Sequence, residues 1–147
     1  MTKYIILLIY TIVKDSQKQF VYKAEQSVSF VQNSIAFSSY TDIQDFSDKI
    51  TNSRWFRNRW DIPPIKIKKI HGNYNFAYYS GSVIYLPKWA LHKWVICHEL
   101  AHAVQPPYTE FHGCGFCRDY LELVYYVFNR PARAELKKAF LENGVTI

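Results

Sequence analysis

Between Pro87 and Pro106 lies a segment, Lys88 to Gln105, with no internal glycine or proline. Proline suits the first turn of a helix and cannot continue one, so Pro87 and Pro106-Pro107 mark its two ends. Inside it, Trp89, Leu91, Trp94, Val95, Ile96, Leu100, Ala103 and Val104 would fall on several faces of one helix rather than on a stripe. A helix that is apolar nearly all round belongs in the middle of a domain. His98, Glu99 and His102 sit in this apolar setting, where polar groups survive only with partners.

The spacing of those three residues suggests what the partner is. An α-helix turns about 40° past a full revolution in four residues, so His98 and His102 aim their imidazoles at one point. Two neutral imidazole nitrogens at about 2.1 Å suit Zn²⁺, the expected cofactor. Glu99, next along the chain, is then the expected catalytic acid/base, placed to take a proton from a water that zinc has made acidic. The pattern His-Glu-x-x-His on a buried helix predicts a zinc-dependent hydrolase.

A catalytic zinc usually has three protein ligands, so a third is needed downstream. A Gly three residues after the second His, with a third His three beyond it, would mark a metzincin, but Gln105 and Tyr108 stand there. His112 is the first candidate, in His112-Gly113-Cys114-Gly115-Phe116, where two glycines permit a close backbone approach before a helix begins near Cys117. Glu122, twenty residues after His102 on the same expected helix, is the runner-up, in the placement that thermolysin-like peptidases use. Cys114 and Cys117 have C-x-x-C spacing, but no βαβ pattern and no second such pair accompanies them.

The rest of the chain reads as a frame for that helix. Val21, Ala24, Val28 and Val31 recur at helical spacing from Phe20 to about Ser34, and Thr41 with Gln44 can form a capping box opening a helix with Ile43, Phe46 and Ile50 on one face. Trp55, Phe56, Arg57, Arg59 and Trp60 could stack on single-stranded nucleic acid, although packing is the stronger reading without a recognisable binding module. Ile65 and Ile67 alternate with lysines as a half-buried strand does. Asn75–Tyr79 and Ser82–Leu86 read as two further strands joined at Ser80-Gly81, giving a small antiparallel sheet.

Composition sets outer limits. A chain of 147 residues with 49% hydrophobic and 18% aromatic residues has material for one core, so residues 1–147 are read as a single domain. The net charge of +6 comes without a long basic run and gives only weak support to a nucleic-acid partner. Three cysteines are too few to staple a secreted domain and favour the cytoplasm. The apolar run Tyr4 to Val13 is too short to span a bilayer and reads as a buried strand, so no membrane partner is expected.

In several of these segments the chain resembles a family of zinc metallohydrolases of actinobacteria and their phages, and more distantly the SprT-like zinc peptidases. Asp15-Ser16-Gln17-Lys18-Gln19-Phe20-Val21-Tyr22-Lys23-Ala24-Glu25 is similar to its N-terminal signature D-x-Q-x-x-V-Y-x-A-E, with one more residue before Val21. Ile84-Tyr85-Leu86-Pro87 and Trp89-Ala90 precede Cys97-His98-Glu99-Leu100-Ala101-His102 in the family's order, and His112-Gly113-x-x-Phe116 with Tyr120-Leu121-x-Leu123 resembles its HG-x-x-F helix. The resemblance covers about Asp15 to Val124. It implies a zincin-like fold, zinc on His98, His102 and His112, and Glu99 as acid/base. The segment before Asp15, the Cys114 and Cys117 pair and a basic tail helix from Ala132 to Leu141 lie outside it. The separate zinc ribbon of SprT-like peptidases that act on DNA-bound proteins has no counterpart here.

The expectation is therefore an α+β chain with a minimal zincin-like metallopeptidase fold, a small antiparallel sheet packed on the metal helix and a closing helix from about Phe116 to Asn129. The strand before the metal helix, Ser82 to Leu86, would pair with an extended peptide or protein substrate by β-addition. The competing class is a non-catalytic protein in which zinc staples a binding module for nucleic acid or protein.

Overall fold

The computed structural model describes residues 14–147, so the Tyr4 to Val13 strand lies outside the described residues. The fold is mixed α+β: seven α-helical segments and a three-stranded sheet among the described residues. None of these helices is long and apolar enough to cross a membrane.

Helix α1 (Lys18–Ser27) buries Val21, Ala24 and Glu25. The expected continuous helix to Ser34 is interrupted. Ser27 Oγ turns back to the Ala24 carbonyl, Val28 adopts extended backbone, and Ser29 donates from both its N–H and hydroxyl to Glu135 before the single turn α2 (Ser29–Gln32). Local hydrogen bonding by serine competes with the helical ladder, and here it wins.

Helix α3 (Tyr40–Thr51) is capped by Ser39, whose side chain accepts from the Asp42 N–H, and not by the Thr41-Gln44 box. Gln44 is used elsewhere. Its amide accepts from the Ile67 N–H at 2.7 Å and donates to the Ile65 carbonyl at 3.0 Å, imitating a neighbouring strand. The short helix α4 (Arg54–Arg57) buries Phe56, and Trp55 stacks face to face on Tyr126 with ring centroids 4.1 Å apart. The aromatic cluster expected to pack does so.

Strands β1 (Lys66–Lys69), β2 (Tyr78–Ser80) and β3 (Val83–Leu86) lie in the order β1-β3-β2. The sheet is not purely antiparallel: β1 runs parallel to β3, while β2 and β3 form the hairpin. The two-residue turn is Gly81-Ser82, one position later than expected, because both residues have positive φ, 56° and 65°, as a primed hairpin turn requires. Residues 75–77 precede β2 without joining the ladder.

The helix carrying His98 and His102 also begins later than expected. Lys88–Ala90 form a 3₁₀ turn, the chain opens at Leu91 and His92, and α5 runs from Lys93 to Ala103. The break is a tertiary effect. The Leu91 carbonyl accepts from the Phe37 N–H at 2.7 Å, and His92 Nδ1 shares a hydrogen bond with Ser34 Oγ at 2.8 Å. Beyond it, every α5 residue from Trp94 to Ala101 is buried. Helix α6 (Cys114–Val127) packs along α5, α7 (Arg130–Glu142) packs along α6, and α1 packs against α7. The sheet and α3 close the other side of α5.

Candidate metal centre

Helix α5 supplies His98 and His102, and the loop between α5 and α6 supplies His112. Ligand atoms of all three lie within 4.8 Å of one another. His98 Nε2 is 3.2 Å from His102 Nε2 and 3.4 Å from His112 Nε2. Two nitrogens bound at about 2.1 Å to one tetrahedral ion sit about 3.4 Å apart, so the spacing fits a shared cation.

The opposite ring nitrogens make that reading stronger. His98 Nδ1 is 2.7 Å from Glu25 Oε2, which also accepts the Tyr120 hydroxyl at 2.6 Å. His112 Nδ1 is 2.9 Å from Asp15 Oδ2 and 3.0 Å from Oδ1. Each carboxylate is acceptor-only when ionised and fixes the hydrogen on Nδ1, leaving the Nε2 lone pairs directed inward. Two lone pairs facing across 3.4 Å repel, and a positive charge between them, whether a bound cation or a proton on His98, resolves the conflict. These three buried or half-buried histidines could therefore hold a metal ion.

Their electrostatics show how closely they are coupled. Burial disfavours the charged form of His98, but the charge and hydrogen bond of Glu25 outweigh it and hold His98 above the usual histidine range. Burial and then the positive charges of His98 and His112 push His102 down to about 2. Burial and the charge of His98 also lower His112, against the pull of Asp15. The cluster tolerates one positive charge and resists more.

Glu99 is only 4% exposed, and its Oε2 has no hydrogen-bond partner. Burial raises its carboxyl to about 7, with His98 opposing and Glu25 adding to the rise. It reaches a cavity of about 470 Å³ whose walls include Tyr22, His102, His112 and β2. Tyr22 lies edge-on to the His112 ring, and burial, followed by the charges of Glu99, Glu25 and Asp15, pushes its hydroxyl up to about 12, so it keeps its proton at neutral pH.

The other candidate ligands stand apart. Glu122 pairs with Arg133 at 2.8 Å and is not part of the cluster. Cys114 is exposed, whereas Cys117 is buried with its thiol near the His112 carbonyl, and neither joins the histidines. Cys97 is core.

Asp15, Gln17, Glu25 and Tyr120 complete the site; all four stand in the segments that carry the family resemblance, but the sequence reading gave them no role. Gln17 donates to the His112 carbonyl at 3.0 Å, and Ser16 bonds Glu110 through its N–H and hydroxyl, so residues 15–17 clamp the ligand loop. A signal for Glu25 did exist. With Val21, Ala24 and Val28 it occupies i, i+3, i+4 and i+7, which places a carboxylate on the core face of α1.

No family model, curated protein or solved structure matches the chain.

Proposed function

We propose that the chain is a zinc-dependent metallohydrolase, most simply a metallopeptidase with a zincin-like arrangement, as the resemblance in its motifs implies. The observation that carries this reading is Glu99: a buried carboxylate with one unpartnered oxygen, in the wall of a cavity that His102 and His112 also line. A purely structural zinc site has four protein ligands and is closed, whereas three histidines beside a cavity leave room for a substrate.

The donor set suits zinc, since neutral imidazoles backed by carboxylates are its common ligands. His98, His102 and His112 would hold it. When bound, zinc polarises a carbonyl as a Lewis acid and brings water's pKa toward neutrality. Glu99 takes the proton of the attacking water and returns it to the leaving amine, a task suited to a carboxyl raised to about 7. Asp15 and Glu25 keep the imidazoles in the tautomer that offers Nε2.

The substrate reading shifts from one strand to another. β3 is central and paired on both sides, so Ser82 to Leu86 cannot receive a peptide by β-addition. The outer edge of β1 is occupied by Gln44 at Ile65 and Ile67, while β2 borders the cavity. An extended peptide or protein segment adding to β2 runs past Glu99.

Glu99→Gln tests the function. Zinc bound with unchanged stoichiometry and loss of hydrolysis of a mixed peptide substrate by at least a hundredfold are expected. Hydrolysis that persists in the variant removes the catalytic role and leaves a metal-stapled binding module.

A further inference from the structure

Next to the cavity over the histidines lies a second one of about 270 Å³, and the two share Tyr22, Phe76, Ala77 and Glu99. From Glu99 the space thus extends two ways: along β2, and inward between the 3₁₀ turn and the start of α5. The inner space is walled by Phe76, Trp89, Trp94 and Val95. Phe76 and Trp89 remain 53% and 47% exposed, though apolar side chains of that size bury readily when a partner surface exists. Trp89 is held in place. Trp89 Nε1 donates to the Asn75 carbonyl at 3.2 Å, which ties the segment leading into β2 to the turn before α5.

We infer that this aromatic cavity is a specificity pocket that takes one large apolar side chain, aromatic or leucine-like, of the residue beside the bond that Glu99 faces. The inference rests on the peptidase reading of the same site. A volume of about 270 Å³ is below that of a pocket for a drug-sized ligand and suits a single side chain. The rival occupant is a lysine or arginine, because Glu25 and Glu99 reach the wall and aromatic faces attract cations. The carboxylates argue otherwise: Glu25 Oε2 is already taken by His98 and Tyr120, and Glu99 is committed to the reacting water in the peptidase reading. Most of the remaining wall is apolar: Tyr22, Phe76, Ala77, Trp89, Trp94 and Val95.

The test uses zinc-loaded Glu99→Gln protein and calorimetric titration with acetylated, amidated pentapeptides Ala-Ala-X-Ala-Ala, X being Phe, Leu, Ala, Lys or Asp. Phe and Leu are expected to bind at least tenfold more tightly than Ala, Lys or Asp. Adding Phe76→Ala or Trp89→Ala, each at a half-exposed position and so compatible with folding, should reduce that preference at least threefold. A flat series, a preference for Lys, or a preference untouched by both substitutions overturns the pocket. The outcome is separable from the hydrolase assignment: selective binding with no cleavage by the unaltered protein defeats only the assignment, and cleavage without side-chain preference defeats only the pocket.

Discussion

His98 is held from behind by Glu25, Nδ1 to Oε2 at 2.7 Å, across 73 residues of sequence. The carboxylate spends its other contact on Tyr120, so its position is set by two elements, α5 and α6. Replacing it by glutamine keeps the shape and removes the charge. Glu25→Gln is expected to weaken zinc affinity 10- to 100-fold, in line with losses of such supporting carboxylates elsewhere. Competition against a chromogenic chelator measures this, and unchanged affinity would refute the positioning role.

Metal should also stabilise the fold. A ligand binding only the native state at 100 times its Kd adds about 2.7 kcal/mol, which for a chain of this size raises Tm by roughly 5–10 °C. Thermal melts with zinc and with a chelator test this in the parent chain. His98→Ala, His102→Ala and His112→Ala should each abolish the shift, while Glu122→Ala, whose carboxylate pairs with Arg133, should retain it.

The three thiols should differ sharply. Cys114 is exposed, whereas burial pushes the Cys117 thiol up to about 12 and raises Cys97 well above the ordinary range. The thiolate is the reacting form, so at pH 8 a disulfide-exchange reagent should modify Cys114 alone in the native protein and all three residues in denaturant. Rapid native modification of two or more thiols would contradict the packing around the α6 start.

Gln44→Ala removes the amide that closes the outer side of β1. The Ile67 N–H and Ile65 carbonyl then lose their partners at a half-buried edge, at a cost of about 1–3 kcal/mol. Urea denaturation reads that loss. An exposed strand edge also invites pairing between copies, so the variant should show more concentration-dependent association than the parent.

How much of this was legible depends on the reach of each signal. His98 and His102 announce themselves because helical spacing is local, and His112 because two glycines follow it closely. Asp15 lies 97 residues from the ring it holds, and no periodicity connects them. The break at Leu91 was hidden for the same reason, since its cause is the distant Phe37 N–H. Strand order escaped too. Alternation at Ile65 and Ile67 identifies a strand but does not say which neighbour it pairs with or in which direction.

Gln17 bonds the carbonyl of His112 and both backbone groups of Thr146, contacts that span 95 and 129 residues. Contacts of such separation are the last a folding chain can form profitably, because closing a long loop costs entropy before it returns any. The loop that carries His112 is therefore expected to be completed only after α1, α6 and α7 have docked. A nascent or partly unfolded chain would present His98 and His102 alone, a pair of ligands without the third, and tight metal capture would mark the finished fold.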